Sequence, residues 1–467
     1  MSGLLSELLP IVVLLALVAV IVSRLPRVDL GHSKAFLRRR FVNWFPVGLT
    51  YAFLYMGRYN LNTGIGPIFD KKQFGIIYGW GTLVYGISFV LNGPLTDRLG
   101  GKKTIVAAAV GALVANVAMG LVVKAALGAD GKVPEEARVG LLPTLSFLYA
   151  VNMYFQSFGA VSIVKVNAAW FHLRERGTFG GIFGILISLG LYFAYDWSPI
   201  VLKQLSVPWV FFAPAVILGI FAVLDVVFVR DTPGEAGHED FDLGDASSGD
   251  DGPRQPLWQV VKLMLRNPAI MIIAAIEFCS GYLRNGILQW YKPFAKDTHR
   301  LPDFVHDHWG MLNCVAGILG GVLAGMISDR VFGSRRGPVA GVLYVLMVVG
   351  ALAMYPTLGN KAIGWVVVVM TLAIIGVHGM LSGTASMDFG GKRNVGIVVG
   401  VIDGFVYLGS SLGAFVLGAK LPKDAAAKDP SNWWTWPTVM LPAAILGLLL
   451  ATRVWNARPK GKTAAAH

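Results

Sequence analysis

Two arginines lie within apolar stretches of this 467-residue chain, where a charge is costly. Arg58, in "YAFLYMGRYNLN", follows seventeen uncharged residues and precedes eleven more, and Arg284 lies in a second apolar stretch. An ionised group near a bilayer centre costs roughly 3 kcal/mol or more and usually serves function. A guanidinium donates in a fork that fits two oxygens of a phosphate or carboxylate. Two of them can clamp a small divalent anion.

Two tyrosines accompany the first arginine. Tyr51, Tyr55 and Arg58 follow an i, i+4, i+7 spacing, which places them on one face of a helix. A phenol can donate a hydrogen bond to a phosphate oxygen and can pack against a carbon skeleton. Aromatic residues at helical spacing more often serve packing. The prediction that these tyrosines contact a ligand therefore depends on the arginine beside them.

Three titratable residues could serve the same region. Glu277 precedes Arg284 by seven residues, two helical turns, while Asp403 and His378 lie in other apolar stretches. Either carboxylate can neutralise an arginine as a structural pair, or it can titrate and carry a proton. His378 is a proton site or a hydrogen-bonded packing residue. The sequence leaves these alternatives open.

The sequence shows no motif that is typical of an enzyme. It contains no nucleotide-phosphate loop, no metal-ligand spacing and no nucleophile–base set. We therefore predict a protein that is not an enzyme and that needs neither a cofactor nor a metal.

The composition indicates a membrane protein. Hydrophobic residues make up 55% of the chain and charged residues only 14%, against about 25% charged in soluble proteins. The formal charge of +13 comes mainly from short loops between apolar runs, which is typical of membrane topology. We expect contact with a lipid bilayer and not with nucleic acid.

Apolar runs predict thirteen membrane-spanning helices, and basic residues orient them. The runs cover 4–23, 42–66, 74–96, 104–127, 141–168, 178–196, 207–229, 268–291, 308–328, 337–357, 362–387, 394–419 and 433–454. One side holds 24 Lys and Arg, and the other holds 12. This bias predicts an outside N-terminus and a cytoplasmic C-terminus in a bacterial inner membrane. Asp196 and Asp225 fall near span ends, where we expect them to reach water.

The chain divides into two similar halves. We predict an extra N-terminal transmembrane helix at 1–30, a six-helix bundle at 31–229, a linker with a short interfacial helix at 230–266, and a second six-helix bundle with a cytoplasmic tail at 267–467. "GPLTDRLGGKKTIV" (93–106) and "GMISDRVFGSRRGPV" (325–339) occupy matching loops, and the two arginines occupy matching helices. Paired halves around a midplane site are typical of secondary transporters.

The loop after the third span resembles the loop motif of the major facilitator superfamily. Its residues are Gly93, Asp97, Arg98, Gly100 and Lys102, with Asp329 and Arg330 in the second half. In that family a carboxylate at a helix end pairs with arginine and holds neighbouring helices in one gating state. The resemblance implies an all-α major facilitator fold of two six-helix bundles with pseudo-twofold symmetry.

More narrowly, residues 42–455 resemble the organophosphate:phosphate antiporters, which include glycerol-3-phosphate and hexose-phosphate transporters. The similarity lies in "YMGRYNLN", "WFHLRERGTFGGIFG", "GYLRNGILQWYKPFAKD" and "FVYLGSSLGAF". In that family two arginines bind the phosphoryl group on the pseudo-twofold axis. The resemblance implies substrate contacts from Arg58, Arg284, Lys165, Tyr51, Tyr55, Tyr85 and Tyr407.

Three positions depart from the family pattern. Phe89 stands where the family often has a lysine, and Ala169 replaces a histidine of the glycerol-phosphate branch. Gly281 occupies the place of a tyrosine, with Tyr282 displaced by one residue. Since Phe89 carries no charge, we predict that Lys165 supplies a third cation.

Three functions follow as hypotheses. The first is a carrier that exchanges a phosphorylated metabolite for inorganic phosphate by alternating access. The second is a proton-coupled carrier of another organic anion that uses Asp403 or Glu277. The third is a membrane sensor that binds the anion and signals without net transport.

Overall fold

The computed structural model describes residues 20, 31–172, 184–186, 188–241, 257–298, 303–332 and 335–456, and every regular element in these ranges is helical. Twelve long helices carry the fold. They are α1 Lys34–Ile65, α2 Lys71–Leu99, α3 Gly101–Ala126, α4 Glu135–Ala168, α5 Gly184–Gln204, α6 Trp209–Phe228, α7 Pro268–Leu288, α8 Trp309–Val331, α9 Arg336–Thr357, α10 Ala362–His378, α11 Ser386–Lys420 and α12 Thr435–Arg453.

Short helices connect several of the long ones. Within the described ranges they are Gly234–Ala236, Leu257–Arg266, Tyr291–Asp297, Phe304–Asp307, Asp424–Ala427 and Pro430–Trp434. Two π-helical segments also occur, Phe193–Trp197 inside α5 and Gly379–Ala385 between α10 and α11.

The prediction of an all-α polytopic membrane protein is confirmed. Among the described residues, eleven helices are long and apolar enough to cross a bilayer, and they correspond to α2–α12. Helix α1 is equally long but more polar, because it carries Arg58 and several asparagines. The extra span predicted at 4–23 lies, apart from Val20, outside the described residues.

Some predicted boundaries were wrong. Helix α1 begins at Lys34, eight residues before the predicted start, because Ser33 Oγ accepts a hydrogen bond from the Phe36 N–H at 3.1 Å and caps the helix there. The predicted loop 97–103 shrinks to Gly100, since α2 ends at Leu99 and α3 starts at Gly101. Residues 178–183 of the sixth predicted span lie outside the described part, and α5 extends to Gln204.

Asp196 and Asp225, expected to reach water, have structural partners instead. The Asp196 carboxylate accepts hydrogen bonds from Gly310 N (2.7 Å) and Met311 N (2.9 Å), so it caps the N-terminus of α8. Asp225 is fully buried and accepts from Thr50 Oγ1 at 2.7 Å. Both acids therefore tie helices of the fold together.

The chain forms two compact units. The first contains Met1–Phe69, Leu99–Gly244 and Leu301–Ile318, and the second contains Asp70–Arg98, Asp245–Arg300 and Leu319–His467. Helix α2 groups with the second unit because its glycines allow close packing on α11: a Cβ on Gly75 would lie 2.6 Å from Ala414 O, and one on Gly86 would lie 2.8 Å from Gly404 O. The division into sequence halves at 230–266 stays a prediction.

Close packing also joins α7 to α11 within the second unit. A Cβ on Gly281 would lie 1.8 Å from Val406 O, and one on Gly409 would lie 1.9 Å from Phe278 O. Ser410 Oγ donates to Gly281 O at 2.9 Å beside this contact. Small residues that let backbones touch are the usual way in which helices associate in lipid.

We predict that Gly281→Ala destabilises the protein by about 1–3 kcal/mol, because the methyl group forces the α7 and α11 backbones apart. Gly321→Ala is the matched control: it also lies within a helix, but nothing lies within 4 Å of the added Cβ. Thermal unfolding of both variants in detergent measures the effect. Equal melting temperatures would show that the α7–α11 contact is not limiting for stability.

Candidate functional site

Arg58 lies fully buried in the first unit. Its Nε donates a hydrogen bond to Gln156 Oε1 of α4 at 3.0 Å. Its guanidinium carbon lies 4.6 Å from the ring centroid of Tyr55 and 5.9 Å from that of Tyr59. A cation over an aromatic face is stabilised by the ring quadrupole, so two tyrosines and an amide fix the guanidinium plane.

A chain of buried amides extends from Gln156. Gln156 Nε2 donates to Asn152 Oδ1 at 3.0 Å, and Asn152 Nδ2 donates to Gly57 O at 2.9 Å. From α3, Asn116 Nδ2 donates to the same carbonyl at 3.1 Å, and it connects to Asn60 of α1. The backbone carbonyl next to Arg58 is thus bound to two other helices, α3 and α4.

These amides were missed by sequence reasoning. Gln156, Asn152 and Asn116 each stand in a predicted span, where an amide needs hydrogen-bond partners as surely as a charge does. The sequence therefore contained the signal, an amide side chain inside an apolar span, but only ionisable side chains were used to predict the site.

The structure brings both predicted tyrosines of α1 into the same buried region. The rings of Tyr51 and Tyr55 pack edge to face with centroids 5.2 Å apart. Tyr149 of α4, which was not predicted, donates from its hydroxyl to Arg58 O at 3.2 Å. A Cβ on Gly190 of α5 would lie 2.5 Å from Tyr55 Cβ, so α5 packs directly behind this tyrosine.

Lys165 lies farther along α4, in its last turn, and is half-buried. It follows Gln156 by nine residues, about 14 Å along a helix axis. It interacts electrostatically with Asp231, which follows α6. The structure therefore places Lys165 near the end of the bundle that carries Asp231.

Asp231 also organises part of the loop motif. Its Oδ1 accepts from Lys102 N at 2.7 Å, at the start of α3, and burial raises the pKa of its carboxyl. Gly100 has φ +91°, and a Cβ there would lie 2.4 Å from Asp231 Oδ2, so only glycine fits this turn without strain. The carboxylate thus caps the positive end of the α3 dipole.

The other motif residues are spread along α2 and α8. Gly93 is buried in α2, Asp97 is half-buried and Arg98 is exposed. Arg330 is exposed in the last turn of α8, and the side chain of Asp329 lies outside the described part. Their gating role stays a prediction.

In the second unit, Glu277 and His378 form a pair. Glu277 is fully buried in α7, and its Oε2 lies 3.1 Å from Nδ1 of His378, the last residue of α10. Tyr344 of α9 donates to the neighbouring Ile276 O at 2.6 Å. The structure thus gives Glu277 an imidazole partner, and its pairing with Arg284, one of the alternatives from the sequence, stays a prediction.

Asp403 and Arg284 complete this polar group. Asp403 is buried in α11 and accepts a short hydrogen bond from Ser382 Oγ. Arg284, also buried, interacts electrostatically with Asp403 and with His378. The second arginine is thus surrounded by groups that titrate.

Tyr85 and Tyr407 meet next to this group. Their ring centroids are 4.2 Å apart, and Phe89 stacks on Tyr407 at 5.8 Å with an interplanar angle of 9°. Tyr407 follows Asp403 by one helical turn. The three rings form a buried aromatic cluster in which the family's lysine is replaced by a hydrophobic contact.

The packing also explains the departure at position 281. Any side chain at Gly281 would collide with Val406 O of α11, so the tyrosine found in the family cannot be accommodated here. Tyr282, the next residue, is buried.

The predicted site residues therefore fall into two groups. Arg58, Tyr51 and Tyr55 lie together in the first unit, and Arg284, Glu277, His378 and Asp403 lie together in the second. Their joint action on one ligand stays a prediction.

Comparisons with known proteins support the resemblance. The glycerol-3-phosphate transporter of Bacillus subtilis is 25% identical, covering 92% of this chain and 95% of its own length. The membrane sensor protein UhpC of Escherichia coli is 22% identical, with 88% and 91% covered. The hexose-6-phosphate:phosphate antiporter of Salmonella typhimurium is 27% identical, with 64% and 66% covered. The resemblance to organophosphate:phosphate antiporters is thereby confirmed.

The fold has solved counterparts. A bacterial homologue of the human lysosomal transporter Spinster, solved in an inward-facing and unoccupied conformation, superposes with a TM-score of 0.67 at 14% identity, covering 91% of this chain and 98% of that one. At this identity the likeness shows the fold alone. The family model described as Major Facilitator Superfamily matches residues 47–414. Proteins of that kind are transporters and not enzymes, as predicted, and this chain belongs to the Major Facilitator Superfamily.

Proposed function

We propose that this protein is a secondary carrier in a bacterial inner membrane, and that it exchanges a small phosphorylated organic anion for inorganic phosphate. The observation that most supports this proposal is that Arg58 is fully buried and is oriented by the neutral amide of Gln156. This hydrogen bond fixes the orientation of the guanidinium inside the bundle. A buried, oriented arginine fits an anionic ligand better than a structural role.

The relatives favour a phosphoryl group as the anion. The names of two of them specify glycerol-3-phosphate and hexose 6-phosphate, which are both phosphate esters. We therefore assign the phosphoryl group to Arg58 and Arg284, and the organic part of the substrate to neighbouring aromatic residues such as Tyr51, Tyr55, Tyr85 and Tyr407. Exchange with phosphate follows the name of the antiporter.

Transport requires no covalent chemistry. A bound dianion compensates both arginines and favours the conformation in which both contact it. Release on the opposite side follows from the difference in binding free energy between conformations, which is all that a ligand can use to shift them.

A sensor is the second candidate, because UhpC resembles this chain over most of its length. A sensor binds the anion, but it moves none of it across the membrane. Uptake of labelled phosphate into phosphate-loaded proteoliposomes separates the two functions. Uptake supports the carrier, and binding without uptake supports the sensor.

We predict that Arg58→Lys abolishes phosphate binding almost as completely as Arg58→Ala, and that Arg284→Lys behaves likewise. Lysine keeps a charge but loses the planar fork, and Gln156 can no longer orient it through Nε. Thermal stabilisation by inorganic phosphate measures binding, since a ligand of the folded state raises its melting temperature. Counterflow in liposomes measures exchange.

The control for this prediction is Arg453→Lys, which alters an exposed arginine in the last turn of α12, outside the two polar groups. It should keep normal phosphate binding. Near-normal exchange in Arg58→Lys would show that Arg58 holds the bundle together instead of holding the substrate.

Lys165 has a separate test. We predict that Lys165→Ala weakens phosphate binding, because a third cation raises the local concentration of the anion even where it makes no direct contact. The loss should shrink as ionic strength rises, since screening weakens attraction at a distance. Unchanged affinity at low salt, in a folded variant, would restrict the site to the arginine pair.

A further inference from the structure

Glu277 and His378 form a buried acid–imidazole pair that anion clamping alone does not require. The Glu277 side chain has no exposed surface, whereas 21% of the His378 side chain is exposed. Glu277 Oε2 contacts the imidazole, while Oε1 accepts no hydrogen bond from any described residue. Among the described residues, one oxygen of this carboxyl therefore has no hydrogen-bond donor, and the other contacts an imidazole that is partly exposed.

The backbone is unusual at the same place. His378 ends α10, and the seven-residue π helix Gly379–Ala385 follows it directly. Ser382 lies in this segment and donates its hydroxyl to Asp403. Because π segments are rare and occur frequently at functional sites, this geometry is an observation independent of the side-chain types.

Among the described side chains, the titratable or charged groups that interact with the pair come from three helices. The second unit contributes Cys279 and Arg284 from α7, Tyr344 from α9 and Asp403 from α11. Of these side chains and the pair itself, His378 is the one whose ordinary pKa lies closest to neutral pH.

We propose that Glu277 and His378 form a proton-binding site, and that binding of the transported anion at Arg284 is coupled to uptake of one proton by this pair. The proposal rests on the proposed function of Arg284, and it makes the protein a carrier that moves protons together with its anion.

The charge balance explains the coupling. With both carboxylates ionised, a protonated imidazole and Arg284 bring the group to zero net charge, and a neutral imidazole leaves it at minus one. An anion at Arg284 adds further negative charge in surroundings of low dielectric. Holding a proton on the pair offsets that charge, so anion and proton favour each other's binding, and the linkage is reciprocal.

The pair also offers a route for the proton. His378 can exchange a proton through its exposed part, and its Nδ1 faces the Glu277 carboxylate. A proton that arrives at the imidazole can pass to Glu277 Oε2 when Nδ1 loses it. No bond other than N–H and O–H changes in this step.

Calorimetric titration of the purified full-length protein with inorganic phosphate tests the proposal. Titrations near pH 7 in two buffers of different ionisation enthalpy give the number of protons taken up per phosphate bound. We expect the wild type to take up about one proton more than Glu277→Gln, because glutamine keeps the shape but cannot ionise. His378→Gln serves as the second variant in case the first does not fold.

The matched control is His306→Gln. His306 also contacts a carboxylate through Nδ1, at 2.9 Å from Asp307 Oδ1, but that pair is adjacent in sequence and outside the polar group. It should keep the wild-type proton count. Phosphate itself changes ionisation near pH 7, and this contribution cancels because every variant binds the same ligand.

The outcomes separate the two claims. Phosphate binding with the same proton count in wild type, Glu277→Gln and His378→Gln would overturn the proton site and leave the proposed function intact. Lack of phosphate binding by the wild type would overturn the proposed function, and the coupling with it. A loss of one proton per phosphate in either folded variant, and not in His306→Gln, supports the proposal.

Discussion

A buried charge must be compensated inside an apolar bundle, and this constraint organises both polar groups of the protein. Arg58 donates a hydrogen bond to Gln156 and lies over the rings of Tyr55 and Tyr59. The amides beyond Gln156 bind the backbone carbonyl beside it. Arg284 has carboxylate and imidazole neighbours. The partners of each arginine come from several helices. The position of an arginine therefore depends on the packing of the whole unit around it.

That packing depends on glycine. Where α7 meets α11, the backbones approach so closely that Gly281 and Gly409 have no space for a Cβ. The hydrophobic effect cannot bring helices together in lipid, because lipid tails are as apolar as the helix surfaces. Close backbone contact supplies dispersion energy instead, and it sets the separation at which Asp403 of α11 and Arg284 of α7 interact.

Much of the fold followed from the sequence, because a span of about twenty apolar residues has one stable form in a bilayer. The helix ends did not, since caps such as Ser33 and the single-residue turn at Gly100 depend on local geometry that hydropathy ignores. The site was predictable where a residue was charged, as with Arg58 and Glu277. The partner of Glu277 was not, because residues 277 and 378 are joined only by the packing of α7 on α10.

The surroundings of the two arginines differ in one physical respect. The amide that accepts from Arg58 carries no charge at any pH, so this contact orients the guanidinium in the same way at every pH. The neighbours of Arg284 include an imidazole and a carboxylate. In the proposed coupling, their protonation makes anion binding at Arg284 depend on pH. The two arginines, which the sequence predicts to lie in matching helices, thus have different partners, and in our proposal they have different tasks. Arg58 can select the ligand by shape and charge, whereas the titratable groups around Arg284 can link ligand binding to the binding of a proton.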